Sequence, residues 1–149
     1  MLNKEFLKIE EYFDNIDLIN LNVSKTSVGW HIDHSLKVIN KVCETLIVSN
    51  PKEFQQGFNL KRRIVFALGF FPRGKARSPK RVLPPEVILI ADLKSQLEEA
   101  KSNLKNIQEL EEDCFFTHPI LKKLNKKQTL KFMGLHTNHH LKIIKDIIK

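Results

Sequence analysis

A histidine-rich segment near the C-terminus reads LHTNHHL (residues 135–141). Three apolar residues around it, Phe132, Ile143 and Ile147, share one direction if the chain from about residue 125 onward forms a helix. His136 and His140 point close to that direction, since side chains four residues apart lie one above the other on a helix. The spacing therefore predicts two imidazoles that face the core.

Such a pair has two interpretations. The two rings are close enough to share one metal ion at about 2.0–2.1 Å, provided that a third ligand completes the site. Hydrogen-bonded core histidines, or a chance spacing among the six histidines of the chain, would give the same pattern. The local pattern leaves both interpretations open.

Length and composition indicate one globular domain that covers residues 1–149. Its two cysteines lack CxxC spacing, which excludes a disulfide framework and a cysteine zinc site. The N-terminus has no apolar signal core, and the apolar run at residues 64–71 is too short to span a bilayer. We therefore predict a cytoplasmic protein that does not act in a membrane.

The net charge of +8 raises the question of a nucleic-acid partner. One proline-containing loop holds five of the positive residues, which are Arg73, Lys75, Arg77, Lys80 and Arg81. The loop lacks interleaved aromatic residues, and the chain shows no recognition-helix pattern, so nucleic acid is not an expected partner. We expect the loop to be solvated or to attract a small anionic molecule.

Hydrophobic periodicity predicts five mostly antiparallel helices, at about residues 2–20, 26–48, 60–71, 90–113 and 125–148. The third should be short and largely buried. The fourth has a narrow apolar stripe, which suits either the edge of a bundle or pairing with a second copy in a homodimer. The predicted fold class is all-α, a four-helix bundle with an additional short helix.

Two histidines of the second predicted helix compete for the place of the third ligand. By helical angle, His31 lies nearer the centre of the apolar stripe, whereas His34 lies on its flank. Periodicity favours His31. Either residue also fits an ordinary boundary histidine on an amphipathic helix.

With these residues placed, the chain resembles the DinB/YfiT-like superfamily of metal-dependent four-helix-bundle proteins, particularly one small branch of it. Three segments carry the resemblance, which covers most of the chain: SVGWHIDH (residues 27–34), THPILKKL (117–124) and HTNHHL (136–141). In that superfamily, one histidine of the second helix and two at i, i+4 spacing on a late helix bind a divalent metal. The resemblance implies His34, His136 and His140 as ligands, which replaces the angular preference for His31.

The branch also has a His-Pro motif before the last helix, matched here by His118 and Pro119. Its usual glycine a few residues later is replaced by Lys122. His118 either lines the site or is an ordinary loop histidine.

Members of the superfamily include metal-dependent transferases that use small thiols. The resemblance therefore implies a transferase or hydrolase that uses a small thiol or an activated water and acts on a small, anionic molecule. Three imidazoles leave coordination positions open, and zinc or nickel are the expected ions, although copper and iron(II) also suit this ligand set. The alternative is a non-enzymatic helical binding or structural protein that contacts an anionic partner through the loop from Arg73 to Arg81.

Overall fold

The computed structural model describes residues 2–73 and 80–149, so Lys75 and Arg77 of the basic loop lie outside the described residues. These residues contain five α-helices and one β-hairpin. In chain order they are α1 (Asn3–Glu11), α2 (Val28–Val48), α3 (Leu60–Leu68), α4 (Ile90–Asn106), β1 (Phe115–His118), β2 (Lys122–Asn125) and α5 (Lys126–Ile148). Short 3-10 turns occupy Phe13–Asn15, Pro51–Glu53, Lys80–Val82 and Ile107–Glu109.

The prediction of an all-α fold is wrong, because β1 and β2 form a two-stranded antiparallel sheet. Phe116 pairs with Leu124, and both side chains are buried on the same face of the hairpin. Pro119 interrupts any helix in the turn. A three-residue connection, residues 119–121, leads to Lys122, the first residue of β2, which has a left-handed conformation (φ 63°). Each strand has only four residues, too few for an alternating pattern to stand out from the helical spacing that follows.

The first helix also ends earlier than predicted, at Glu11 rather than near residue 20. The carbonyl oxygens of Ile16 and Leu18 accept hydrogen bonds from the backbone N–H groups of Gly29 and Val28, at 2.8 and 2.9 Å. These N–H groups open α2 and have no partner within that helix. A helix that reached residue 20, as predicted, would use the Ile16 carbonyl for its own hydrogen bond to the N–H group of residue 20.

Helix α2 forms the centre of the molecule. Fourteen of its 21 residues are buried, and it packs against both α4 and α5. Because α2 has neighbours on more than one side, polar side chains such as Asp33, His34 and Asn40 are buried together with the apolar stripe. This arrangement brings the histidines of α2 next to those of α5.

The third helix is not largely buried, contrary to the prediction. Leu60, Ile64 and Leu68 are 59%, 47% and 59% exposed, and Arg62 is the buried residue of α3. The Arg62 guanidinium donates hydrogen bonds to the carbonyl oxygens of Gly57 (2.6 Å) and Lys123 (3.1 Å). Polar contacts with the hairpin therefore help to hold α3 in place, and only Val65 and Phe66 among its apolar residues pack against the core.

The narrow apolar stripe of α4 packs inside the chain. Its buried residues, Leu93, Leu97, Ala100 and Leu104, belong to the core that α4 shares with α2. The bundle-edge interpretation therefore accounts for the stripe, while a homodimer stays a prediction. Over residues 2–73 and 80–149, no helix has both the length and the apolar character needed to cross a bilayer.

The left-handed conformation of Lys122 generates a prediction about stability. Lys122→Gly should raise the free energy of unfolding by about 0.5–1 kcal/mol, measured by urea denaturation. Left-handed geometry costs an L-residue about 1–2 kcal/mol, and the greater entropy of glycine in the unfolded chain offsets part of the gain. Lys122→Ala keeps the Cβ atom and serves as the control, with no increase expected. Equal stability of the two variants would contradict the strain at this position.

Candidate metal centre

Three histidines from two helices meet beside one cavity. His34 comes from α2, and His136 and His140 come from α5, with one ring nitrogen of each within 4.8 Å of the others. The ring centroids are 5.1 Å (His34–His136), 4.9 Å (His34–His140) and 4.7 Å (His136–His140) apart, nearly an equilateral triangle. Nitrogens that share a tetrahedral ion are about 3.3 Å apart, so small side-chain rotations would bring these three to binding distance. The three-histidine group can therefore hold a metal ion.

The position of His34 follows from how α2 begins and from one backbone contact. Ser27 caps the helix by accepting a hydrogen bond from the Trp30 N–H at 3.2 Å. One turn further on, the Trp30 ring stacks on the His34 imidazole, with centroids 5.0 Å apart and an angle of 21°. Nδ1 of His34 donates to the carbonyl oxygen of Val82 at 2.9 Å. Since a carbonyl can only accept, Nδ1 carries the proton and Nε2 is the unprotonated nitrogen.

His140 is held by the other histidine of α2. Nδ1 of His140 lies 2.9 Å from Nδ1 of His31, so one ring donates and the other accepts. Nε2 of His31 in turn contacts the hydroxyl oxygens of Ser24 (3.0 Å) and Thr26 (3.1 Å). The residue that helical angle favoured as a ligand thus contacts a member of the three-histidine group and is not itself a member.

Helical angle could not rank His31 against His34, because it assumes a single buried face on α2. His31 and His34 are 4% and 3% exposed, so the core surrounds both sides of the stripe. The structure brings together the three histidines that the resemblance implied, and metal binding by them stays a prediction.

His136 contains an unsatisfied buried atom. Its ring is partly accessible, but Nδ1 is inaccessible to solvent and has no hydrogen-bond partner in the described part of the chain. An unsatisfied buried polar group typically costs about 1–3 kcal/mol. The Phe132 ring, with its centroid 5.7 Å from that of His136, offers no acceptor. This nitrogen is therefore suited to bind a group that does not belong to the chain, such as a metal ion.

Burial keeps the histidines of this region uncharged. It lowers the pKa of His31 from 6.5 to about 4, and the neighbouring His34 contributes further. The pKa values of His136 and His140 fall well below 6.5, mainly through burial and secondly through the adjacent imidazoles. For His34, burial lowers the pKa, and the hydrogen bond to Val82 partly opposes it. At neutral pH these rings are in the form that binds metal ions.

The three histidines belong to the wall of a cavity of about 650 Å³. Five of the six histidines line it: His34, His118, His136, His139 and His140. Most of the remaining wall is apolar, including Val38, Val42, Ile64, Val65, Phe71 and Phe132, and three cationic residues complete it: Lys41, Lys61 and Arg81. A small molecule in this cavity would lie directly beside the three-histidine group.

His118 lines the cavity and is also a structural residue of the hairpin loop. Its Nδ1 accepts hydrogen bonds from the backbone N–H groups of Ile120 and Leu121, each at 3.1 Å, and so stabilises the hairpin turn. Its ring also packs edge-on against Phe132, at 4.8 Å between centroids, and lines the cavity. Burial lowers its pKa to about 4. His139 lines the cavity as well but is outside the three-histidine group.

The basic loop reaches the cavity at one described residue. Arg81 lines it, whereas Arg73 forms an ion pair with Asp146 at 2.8 Å. Two further cationic lining residues, Lys41 on α2 and Lys61 on α3, were not anticipated from the sequence. No sequence signal separates them from the many other lysines on polar helix faces, because only the tertiary fold brings them to the cavity.

Comparisons of the chain with protein-family models, with curated proteins and with solved structures gave no match. The resemblance to the DinB/YfiT-like superfamily accordingly stays a prediction.

The lowered pKa values predict that acid destabilises the protein when metal is removed with a chelator. The unfolded chain takes up protons as the pH falls below 6.5, whereas His31 and His118 resist protonation in the folded state until about pH 4. The free energy of unfolding should therefore be highest above pH 6.5 and should decrease towards pH 4. Urea denaturation between about pH 7.5 and about pH 5 measures this decrease.

A variant of His118 provides the control. His118→Asn keeps an acceptor near the turn but cannot be protonated, so its stability should decrease less over the same pH range. Constant stability of the wild-type protein down to about pH 5 would contradict the assignment of neutral buried imidazoles.

Proposed function

We propose that this protein binds a divalent metal ion, zinc or nickel, through His34, His136 and His140, and uses it to activate a small thiol or a water molecule in a transferase or hydrolase reaction. The observation that carries the proposal is the approach of three uncharged imidazole nitrogens to within 4.8 Å beside a cavity. Catalytic zinc sites commonly have three protein ligands and an open position, which is what this group would supply.

The donor set fits the proposed ion. Neutral imidazole suits zinc, nickel, copper and iron(II), and zinc and nickel are the first ions to test. When bound, a divalent ion lowers the pKa of a water or thiol that coordinates it, so that the nucleophile forms at neutral pH. The unsatisfied Nδ1 of His136 supports the proposal, since the described chain offers that atom no other partner.

The surrounding residues would orient the ligands. The Val82 carbonyl keeps the proton of His34 on Nδ1, which leaves Nε2 as the nitrogen able to bind an ion. If His140 also binds through Nε2, its Nδ1–H donates to His31, and Nε2–H of His31 donates to Ser24 or Thr26. We assign His31 a positioning role on this basis.

A non-enzymatic binding protein is the second candidate, and one observation favours it. No described cavity-lining residue is Asp or Glu, so the described wall provides no carboxylate general base. Proton transfer during a reaction would then depend on the substrate itself or on a neutral histidine such as His118 or His139.

The ligand assignment predicts how metal binding responds to substitution. His34→Ala, His136→Ala and His140→Ala should each abolish stoichiometric binding of zinc to protein purified without an affinity tag. His139→Ala is the matched control and should change the affinity less, because His139 adjoins the group without belonging to it. His31→Gln should weaken binding by about 10–100-fold, the usual effect of losing a residue that orients a ligand. Competition with a chromogenic chelator measures these affinities, and circular dichroism verifies folding.

Two results would change the proposal. Loss of the metal in His31→Ala together with retention in His34→Ala would show that the third ligand is misassigned. In cobalt-substituted protein, a small thiol should add a thiolate-to-cobalt charge-transfer band, because three protein ligands leave a position open. Absence of that band while cobalt is bound would favour the non-enzymatic candidate.

A further inference from the structure

The chemical composition of the cavity restricts what it can bind. Every described lining residue is apolar or aromatic, a histidine, a lysine or an arginine, and none carries a hydroxyl, amide or carboxylate side chain. A sugar, nucleoside or peptide would bury several polar groups without side-chain partners, at about 1–3 kcal/mol each. The volume of about 650 Å³ lies within the range of small-molecule sites. The cavity therefore suits a ligand whose body is mostly apolar.

The charges around the cavity have one sign. Lys41, Lys61 and Arg81 are its described charged lining residues, and all three are exposed, which places their charges at the mouth. Lys41 forms an ion pair with Glu44 at 2.9 Å. Lys61 and Arg81 have no ion-pair partner among residues 2–73 and 80–149. Two uncompensated positive charges therefore border an apolar interior.

We propose that the cavity binds an apolar monoanion, an aliphatic or aromatic carboxylate, with its body against the walls and its carboxylate at the mouth near Lys61 and Arg81. Val42, Val65 and Phe132 provide apolar surface for the body. The inference concerns the cavity of the proposed metal site but does not depend on whether that site binds metal.

Calorimetric titration with decanoate, below its micellar concentration, tests the inference directly. The matched probes are decanol, which has the same chain without charge, and decyltrimethylammonium, which has the opposite charge. In metal-free protein we expect one decanoate per chain, bound at least about tenfold more tightly than decanol, and weaker binding still of the ammonium. Zinc-loaded protein should retain decanoate binding.

Substitutions locate the two ends of the ligand. Lys61→Gln and Arg81→Gln should each lower the affinity for decanoate about three- to tenfold and leave that for decanol unchanged. Arg63→Gln and Lys80→Gln remove the same charge from neighbouring exposed residues that do not line the cavity, and should have less than about a twofold effect. Val65→Trp, at a half-buried wall position, should reduce binding of decanoate and decanol alike.

Several outcomes would overturn the inference. Equal affinities for decanoate and decanol would contradict recognition of the carboxylate. Equal losses of decanoate affinity in the lining variants and in their controls would contradict it as well. Unchanged binding in Val65→Trp would place the ligand outside the cavity, and loss of decanoate binding on removal of zinc would place the carboxylate at the ion. A His136→Ala variant that retains zinc would defeat the proposed function alone, since decanoate binding does not require the metal.

Discussion

The hydrogen bond from Nδ1 of His34 to the carbonyl oxygen of Val82, at 2.9 Å, orients the one histidine that α2 contributes to the three-histidine group. It joins α2 to the short turn Lys80–Val82 and fixes the tautomer of the imidazole. The contact between His31 and His140 restrains the partner helix α5 in a similar way. Two of the three converging rings are thus oriented by contacts that would be in place before any ion arrives.

Stability alone does not explain this arrangement. Burial lowers the pKa values of all three rings, and Nδ1 of His136 lacks a hydrogen-bond partner among the described residues. Apolar side chains at the same positions would avoid both penalties. The folded chain instead maintains a group of neutral nitrogen donors beside a cavity with cationic residues at its mouth. A metal ion would use the nitrogen donors, whereas a carboxylate ligand with an apolar body would use the cavity and the cationic residues at its mouth.

Helical periodicity sufficed for α2 and α5 and for the paired direction of His136 and His140, because those properties depend on local spacing. It could not rank His31 against His34, since that required knowing that α2 is enclosed on several sides. It also missed the hairpin, whose strands are too short to show their own period, and the exposure of α3. The position of Lys61 in the cavity wall could not be predicted from local spacing, because it depends entirely on tertiary contacts.

Anomalous diffraction at the zinc edge, from crystals of untagged protein grown with zinc, would show whether the three histidines bind a metal ion. We expect one strong peak per chain, within about 2.3 Å of a ring nitrogen of His34, His136 and His140. The Val82 and His31 contacts should persist beside it. A peak coordinated by His31 or His139 in place of one of these three, or zinc bound only at surface residues, would contradict metal binding by this group.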